Sequence, residues 1–206
     1  MLNEEFERQL GNLIHKGYPQ LVGLSVAEFT QELEQLQHKI SEMNPVQIEL
    51  QESKIPFVIV IKSDWLNAGQ AMQVVEREGK KGFSIMDVEE INRFQPIEGI
   101  KLPEGRAYLL WDIDTGTETL NVTPTAALTF IAEENRSPLT LEEGISVITH
   151  FPDRLRKNNG FSLLGSRCGD RRVTALWISD KKPKLGWCWA GNPHTWLGSA
   201  SCGARS

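Results

Sequence analysis

The sequence is poor in the features that define secreted, membrane-spanning and repetitive proteins. It has three cysteines in 206 residues, an odd number that suits free thiols in a reducing compartment better than a disulfide framework. Its longest apolar run, residues 57–61, is far too short to cross a membrane. The first residues are acidic and lack a signal-peptide pattern, and the sequence has no internal repeat or low-complexity segment. We therefore expect a cytoplasmic globular protein that does not enter a membrane.

The net charge is small, but it is unevenly distributed along the chain. Twenty-two basic residues stand against 27 acidic ones, which gives a net charge of −5. Residues 161–206 hold seven basic and two acidic side chains, a balance of +5, so residues 1–160 carry −10. This asymmetry predicts either two parts that neutralise each other or an anion site in the C-terminal part. The acidic total makes nucleic acid an unfavoured partner.

Apolar spacing predicts two helices at the start of the chain. The first covers residues 2–16, and the second begins at a capping-box pattern of Ser25 and Glu28 and extends to residue 43. Residues 1–45 should therefore form a helical hairpin, which either packs within a monomer or joins two copies as a homodimer. Apolar residues at alternating spacings of three and four form a seam along the second helix: Val26, Phe29, Leu33, Leu36, Ile40 and Met43.

After Pro45 the pattern changes to strands mixed with short helices. A capping box of Thr140 and Glu143 predicts a helix through Thr149, and Gly79 to Gly82 indicates the turn of a hairpin. No regular βαβ repeat is present, so residues 46–206 should form an α+β domain, a mixed and largely antiparallel sheet with helices packed on it. The predicted strands include residues 46–51, 55–62, 107–112, 161–164, 173–178 and 185–190.

The segment from Asp112 to Gly116 contains parts of two catalytic patterns at the end of a predicted strand. Asp112 and Asp114 match the Asp-x-Asp of phosphatases of the haloacid dehalogenase type, but Gly116 stands where those enzymes have threonine. Asp114-Thr115-Gly116 matches aspartic proteases, whose mechanism needs two such carboxylates. Aspartate, threonine and glycine are also turn formers, and we interpret the segment as a hairpin turn.

The most unusual part of the chain is its last quarter, which is rich in tryptophan. Trp187, Trp189 and Trp196 lie within ten residues, close to Asn192 and His194. Buried tryptophan needs a partner for its indole N–H, so this part should be packed and specific. The tryptophans could instead be core, or a stacking platform for single-stranded nucleic acid.

An arginine-rich loop precedes this segment. Gly165 to Arg172 contains Arg167, Asp170, Arg171 and Arg172 between two predicted strands. Guanidinium groups beside glycines can bind carboxylate or phosphate, whereas a β-turn in which Asp170 pairs with a neighbouring arginine is the structural alternative.

Cysteine and histidine near the C-terminus permit a third kind of site. Cys188, His194 and Cys202 could meet in space, but their spacing is a poor match to a zinc site, which needs four ligands. A nucleophilic pair of Cys188 and His194 is possible. We interpret Cys188, between two tryptophans, as a small buried residue that is not a nucleophile.

Three blocks of sequence together resemble a known family. They begin with Pro138-Leu139-Thr140-Leu141-Glu142-Glu143-Gly144, continue through Gly165 to Ser179, and end with Pro183 to Gly198. These blocks are similar to a family of bacterial proteins, found largely in soil Gram-positives, that carries only a domain-of-unknown-function label. The resemblance covers roughly the C-terminal half, implies a bacterial cytoplasmic protein and supplies no activity or cofactor.

The sequence thus predicts binding of a small anionic or peptide-like ligand in a tryptophan-lined pocket near the C-terminus. The cofactor is left unknown and no metal site is expected. A thiol-dependent enzyme using Cys188 and His194, and a structural or interaction protein with a tryptophan core, are the alternatives. The predicted ligand-binding residues are Arg167, Asp170, Arg171, Arg172, Trp187, Trp189, Asn192, His194 and Trp196.

Overall fold

The protein, seen in a computed structural model that describes residues 2–42 and 54–206, has the predicted α+β architecture. The helices are α1 (Leu2–His15), α2 (Tyr18–Leu21), α3 (Val26–Glu42), α4 (Ala68–Val74), α5 (Val88–Asn92), α6 (Pro124–Glu133) and α7 (Leu141–His150). The strands are β1 (Lys54–Ile61), β2 (Glu76–Arg77), β3 (Lys80–Lys81), β4 (Phe83–Ser84), β5 (Gln95–Pro96), β6 (Ala107–Asp114), β7 (Ser137–Pro138), β8 (Gly160–Arg167), β9 (Arg172–Ser179), β10 (Lys182–Trp189), β11 (Leu197–Ser199), β12 (Ser201–Cys202) and β13 (Ala204–Arg205).

The N-terminal helices α1 and α3 pack against each other as predicted, with the short α2 between them. Phe29, Leu33, Leu36 and Ile40 of the seam are buried within the chain, because the spacing of three and four places them on one face. Val26 was wrongly assigned to the buried seam: it is the first residue of α3 and 43% exposed. Met43 and the predicted strand 46–51 lie outside the described residues. The choice between monomer and homodimer stays a prediction.

Two larger sheets follow the N-terminal helices, the first antiparallel and the second mixed, and β2 and β3 form a small sheet of their own. In the first sheet the strand order is β1-β6-β12-β7, with β13 also paired to β6. In the second sheet the order is β11-β8-β9-β10-β4, with β5 also paired to β8. Most pairs are antiparallel, while β4 and β10, and β8 and β11, run parallel. A hairpin forms near Gly79, but its turn is Glu78-Gly79 and its strands are only β2 and β3. Lys80 and Lys81, predicted as turn, therefore lie in a strand, and residues 68–74 are helical.

Helix α7 is the central element, because it contacts β1 of the first sheet and both β8 and β9 of the second. All ten of its residues are buried, including Glu142, Glu143 and His150. A Cβ atom at Gly144 would lie 2.2 Å from Leu163 Cδ2, so glycine is what allows the helix to pack this closely on β8. Polar side chains on this helix must therefore find partners inside the protein.

The second sheet has apolar clusters on both of its faces. One face joins the main core with Phe161, Leu163 and Leu176. The other face forms a smaller cluster with α6, which includes Ala127, Ile131 and Cys188. None of the helices in residues 2–42 and 54–206 combines the length and apolar character needed to cross a bilayer.

Candidate functional site

The strongest chemical feature of the molecule is a buried carboxylate at the start of α7. Glu142 follows Thr140, whose side chain caps the helix in a capping box with Glu143. Only 9% of Glu142 is exposed. Its Oε2 accepts a hydrogen bond of 2.8 Å from the backbone N–H of Ser63, which follows β1. Its Oε1 is buried and has no hydrogen-bond partner among the described residues. A buried carboxylate with one unpaired oxygen destabilises the folded state, so a functional reason for Glu142 is worth seeking.

The environment of Glu142 disfavours its charged form. Burial raises the pKa of the Glu142 carboxyl, and the negative charge of Glu143 acts in the same direction. The hydrogen bond from Ser63 and the positive charge of Lys62 oppose this rise in the pKa. Perturbed carboxyl groups of this kind cluster at functional sites, because they can exchange a proton or a hydrogen bond with a ligand.

Glu142 lines a cavity of about 210 Å³, here called the Glu142 cavity. It lies between the segment after β1, the segment from α5 to β5, and the beginning of α7. Glu142 also lines a second cavity of about 10 Å³, together with Tyr18 and Ser146. The larger cavity is lined by Lys62, Ser63, Asp64, Ala68, Ile91, Asn92, Phe94, Gln95, Pro96, Leu102, Thr140, Leu141, Glu142 and Ser166.

Several other polar groups of the cavity already have partners in the protein. Lys62 Nζ donates to the carbonyl of Pro103 at 2.9 Å. Asn92 Oδ1 accepts from Asn67 Nδ2 at 2.9 Å, and Ser166 Oγ accepts from the backbone N–H of Leu141 at 2.9 Å. These bonds hold the wall in place, and Glu142 Oε1 is a buried acceptor of a lining residue that has no partner among the described residues. The cavity is therefore organised before any ligand enters, which favours binding.

The predicted arginine and tryptophan residues come together in part on β9 and β10. Trp187 and Trp189 lie on one face of β10, with ring centroids 4.9 Å apart in an edge-to-face arrangement. The Arg172 guanidinium lies 5.5 Å from the Trp187 ring centroid. Trp189 is 45% exposed, which makes it the most accessible tryptophan of this group. We call Arg171, Arg172, Trp187 and Trp189 the Trp189 surface.

The arginine loop contains the internal ion pair that was one of its two interpretations. Arg172 pairs with Asp170 and with Glu90 of α5. Hydrogen bonds from the side chain and backbone of Arg172 hold the pKa of Asp170 well below its usual range. Arg167 Nη2 donates to the Asp170 carbonyl at 3.2 Å. Arg171 is exposed, and its side chain has no hydrogen-bond or ion-pair partner in the described part of the chain. Of the three arginines, Arg172 is paired within the protein, Arg167 has a buried Nε without a partner among the described residues, and Arg171 is the exposed one that an external anion can reach.

The remaining predicted residues lie in a different group. The Trp196 ring packs 5.9 Å from Trp177 and 5.1 Å from His194. Trp187 pairs with Thr174, so these two side chains share a face of the sheet. Trp177 lies three residues after Thr174 on β9, and residues an odd number apart on a strand face opposite sides. Trp177 therefore faces away from Trp187, into the smaller cluster. The exposed Asn192 donates its backbone N–H to the Trp189 carbonyl in the turn after β10. The nine predicted residues thus form two groups, with His194 and Trp196 packed around Trp177.

Cysteine chemistry finds little support in the geometry. Cys188 is 8% exposed and faces the smaller cluster, where burial raises the pKa of its thiol. Burial likewise raises the pKa of Cys202 to about 12. Nucleophilic cysteines need a lowered pKa and access to solvent. Within residues 2–42 and 54–206, no group of three or more histidine, cysteine, aspartate or glutamate side chains is placed to hold a metal ion.

We expect Cys188 to resist alkylation in the folded protein. Iodoacetamide near neutral pH should label the half-exposed Cys168 more than about ten times faster than Cys188 or Cys202, whose sulfurs become accessible only when the structure opens. Mass spectrometry of tryptic peptides assigns each thiol. Faster labelling of Cys188, abolished by His194→Ala, would instead support the thiol enzyme.

Sequence reasoning missed Glu142. The adjacent pair Glu142-Glu143 was visible at a helix start, but the capping box accounted for Glu143 alone and helix-start carboxylates are normally solvated. The available signal was the apolar composition of the following turns, which indicates a helix buried on several sides. When a helix is buried on all sides, its polar residues are buried as well, and here these include both Glu142 and Glu143.

Comparison with known proteins identifies a family but no activity. A family model described as "Family of unknown function (DUF5701)" matches residues 12–206. The match therefore includes most of the N-terminal hairpin, which the three sequence blocks did not cover. Neither the curated proteins nor the solved structures contain a match to this chain.

Proposed function

We propose that this chain, which belongs to the DUF5701 family of unknown function, binds a small ligand in the Glu142 cavity. The observation that carries the proposal is Glu142, a buried residue on the wall of a 210 Å³ cavity, whose carboxylate Oε1 has no hydrogen-bond partner among the described residues. A cavity of roughly 150 Å³ holds a benzene molecule, so this one has room for a slightly larger compound. A ligand that donates a hydrogen bond to Glu142 completes the site.

The cost of leaving the acceptor unpaired supports a ligand over a purely structural role. An unsatisfied buried polar group costs about 1–3 kcal/mol, and more when it is charged. Glu142 does not form the capping bond, which Glu143 provides, so the helix start does not need this second carboxylate. A neutral or apolar side chain would fill the position at lower cost, and the carboxylate is explained by what it binds.

The test uses a bulky residue at the rim of the cavity. Gln95 is exposed and lines the cavity, so Gln95→Trp should cover the opening with little change to the core. In a fragment screen followed by protein-observed NMR, fragments that shift the amide signals of Ser63 and Leu141 should lose about tenfold or more in affinity for this variant. Glu89→Trp, on the exposed side of α5, adds the same bulk outside the cavity and should bind like wild type. A screen in which no fragment moves these amides contradicts the proposal.

The Trp189 surface is a second candidate site, for the small anionic or peptide-like ligand that the sequence predicted. The exposed ring of Trp189 and the unpaired guanidinium of Arg171 support it. The backbones of the two residues are neighbours, because the N–H of Ala190 donates to the Arg171 carbonyl at 2.8 Å, and a Cβ atom at Gly191 would lie 3.2 Å from Arg171 Nη2. An exposed aromatic ring beside a free guanidinium can bind a carboxylate or phosphate with an apolar neighbour.

Phosphate should raise the melting temperature if this surface binds anions. Binding to the folded state stabilises it by mass action, by roughly 2.7 kcal/mol at one hundred times the dissociation constant. Arg171→Ala should remove most of the shift in a titration at constant ionic strength. Lys157→Ala removes an exposed positive charge elsewhere and should keep the shift. Equal shifts in wild type and Arg171→Ala would exclude Arg171 from an anion site.

A further inference from the structure

We infer that the ligand of the Glu142 cavity carries a primary ammonium group, which donates a hydrogen bond to Glu142 Oε1. This inference rests on the proposed function and adds the chemical class of the ligand. The cavity is lined by two acids, Glu142 and Asp64, and by one base, Lys62. The neighbouring acid Glu143 is neutralised by Arg205, so it leaves the balance of the cavity unchanged. An anionic ligand would further disfavour the ionised form of Glu142, whereas a cation stabilises it.

The hydrogen-bonding groups favour an ammonium over other cations. A primary ammonium has three donors and no acceptor, so it needs several oxygens around it. The lining residues include Glu142, whose Oε1 has no partner among the described residues, and Ser63, Thr140 and Ser166, whose hydroxyl oxygens can accept further hydrogen bonds. A quaternary ammonium has no N–H to donate. A divalent metal needs six or more oxygen ligands, and the described residues contain no group of three acids, histidines or cysteines that could hold one.

The state of Lys62 also supports this choice. Its ammonium could have satisfied Glu142, but Nζ donates instead to the carbonyl of Pro103 at 2.9 Å. The Lys62 ammonium is thus engaged elsewhere, and Glu142 Oε1 has no hydrogen-bond partner among the described residues. Burial, which raises the pKa of Glu142, makes the unliganded carboxylate expensive to ionise, and an incoming cation reverses that effect. Binding should therefore be coupled to loss of a proton from Glu142.

The test compares four compounds of similar size against the full chain by NMR titration. Propylammonium should shift the amide signals of Ser63 and Leu141 and bind about tenfold or more tightly than 1-propanol, tetramethylammonium or propionate, since hydrogen bonds between charged groups are the strong ones. Glu142→Gln keeps the size of the side chain and should abolish this preference. Glu89→Gln removes the same charge from an exposed position and should retain it. Wild-type affinity for propylammonium should also fall as the pH is lowered through the raised pKa of Glu142, a measurement that holds even if Glu142→Gln folds poorly.

The outcomes separate this inference from the proposed function. If all four compounds bind equally well, or if propionate binds best, the cavity remains a ligand site and the ammonium assignment is wrong. If propylammonium binds equally to wild type and Glu142→Gln, the assignment to Glu142 is wrong. If no compound and no screened fragment moves the cavity amides, both the assignment and the proposed function are wrong.

Discussion

Replacing Arg205 with alanine should lower the free energy of unfolding by about 3–5 kcal/mol, because it strands a buried carboxylate. Glu143 is fully buried on α7, and Arg205 binds it through Nε at 2.5 Å and Nη2 at 2.9 Å. Tyr108 donates its hydroxyl to the same carboxylate at 2.8 Å. Burial and the charges of Glu143 and Glu142 raise the pKa of Tyr108 well above its usual value, so it remains a donor. Without Arg205 the negative charge of Glu143 has no cationic partner.

Urea denaturation of wild type and variant measures the effect. Arg171→Ala removes the same functional group from the surface and should change the free energy of unfolding by less than about 0.5 kcal/mol. Adding Glu143→Gln to Arg205→Ala should restore part of the loss, because the stranded charge is then gone. A loss below about 1 kcal/mol for Arg205→Ala would show that Glu143 does not depend on this ion pair.

Glu143 also shows which interactions a local sequence pattern can predict and which it cannot. The capping box of Thr140 and Glu143 correctly predicted where α7 begins, since both halves of that interaction lie within four residues. Arg205 lies 62 residues further along the chain, on β13 beside β6. No local pattern relates the two positions. Helix starts are readable from sequence, but the partners that make a charged helix face tolerable inside a core depend on the assembled sheets.

The strands illustrate a similar limit. Three strands of the second sheet were predicted near their observed positions, because continuous apolar runs mark them. Their register depends on the two-residue turn of Asp180 and Lys181, which both have positive φ angles, of 51° and 63°. Such turns normally contain glycine, asparagine or aspartate, so Asp180 fits the pattern and Lys181 does not, and the sequence carried only a weak signal for this turn. The turn places Trp177 and Trp187 on opposite faces of the sheet, and for that reason the tryptophans do not share one group.

The candidate cavity was beyond prediction for a further reason. Its wall combines segments from four separate parts of the chain, from Lys62 to Ser166. None of these segments has a recognisable motif, and the chemical signal is an unpaired oxygen, which is a property of packing. The arginine loop was more accessible to prediction, since Asp170 and Arg172 interact two residues apart. Interactions between near neighbours in sequence were found, and those built by the fold were not.

A buried histidine at the other end of α7 should make the protein sensitive to acid. His150 is 3% exposed, and its Nε2 lies 3.1 Å from the carbonyl of Ile59, to which it donates. Its Nδ1 lies 3.3 Å from Asn12 Nδ2 and accepts from that group. Both ring nitrogens are therefore used by the neutral imidazole. Burial lowers the pKa of His150 from 6.5 to about 3, although its bond to Ile59 opposes the change, and the positive charges of Arg8 and Lys16 lower it further.

The sign of the effect follows from which state binds the proton. Below pH 6.5 the unfolded chain protonates this histidine, while the folded protein holds it neutral down to about pH 3. The contribution of His150 to the free energy of unfolding is fully present above pH 6.5. It falls by up to about 1.4 kcal/mol per pH unit as the pH decreases, which makes a total loss of about 5 kcal/mol. Glu142, whose pKa is raised in the folded state, contributes a slope of the opposite sign. A comparison of variants is needed to separate the two.

We expect His150→Gln to flatten the decline in stability between neutral pH and mild acid, since glutamine can donate to Ile59 but does not titrate. The free energy of unfolding, measured by urea denaturation across this range, should then differ most between wild type and variant at neutral pH and converge as the pH falls. His38→Gln removes an exposed histidine and should keep the full wild-type slope. Parallel pH profiles for wild type and His150→Gln would mean that His150 takes up its proton in the folded state, and that the contact of α7 with Ile59 and Asn12 opens without unfolding the chain.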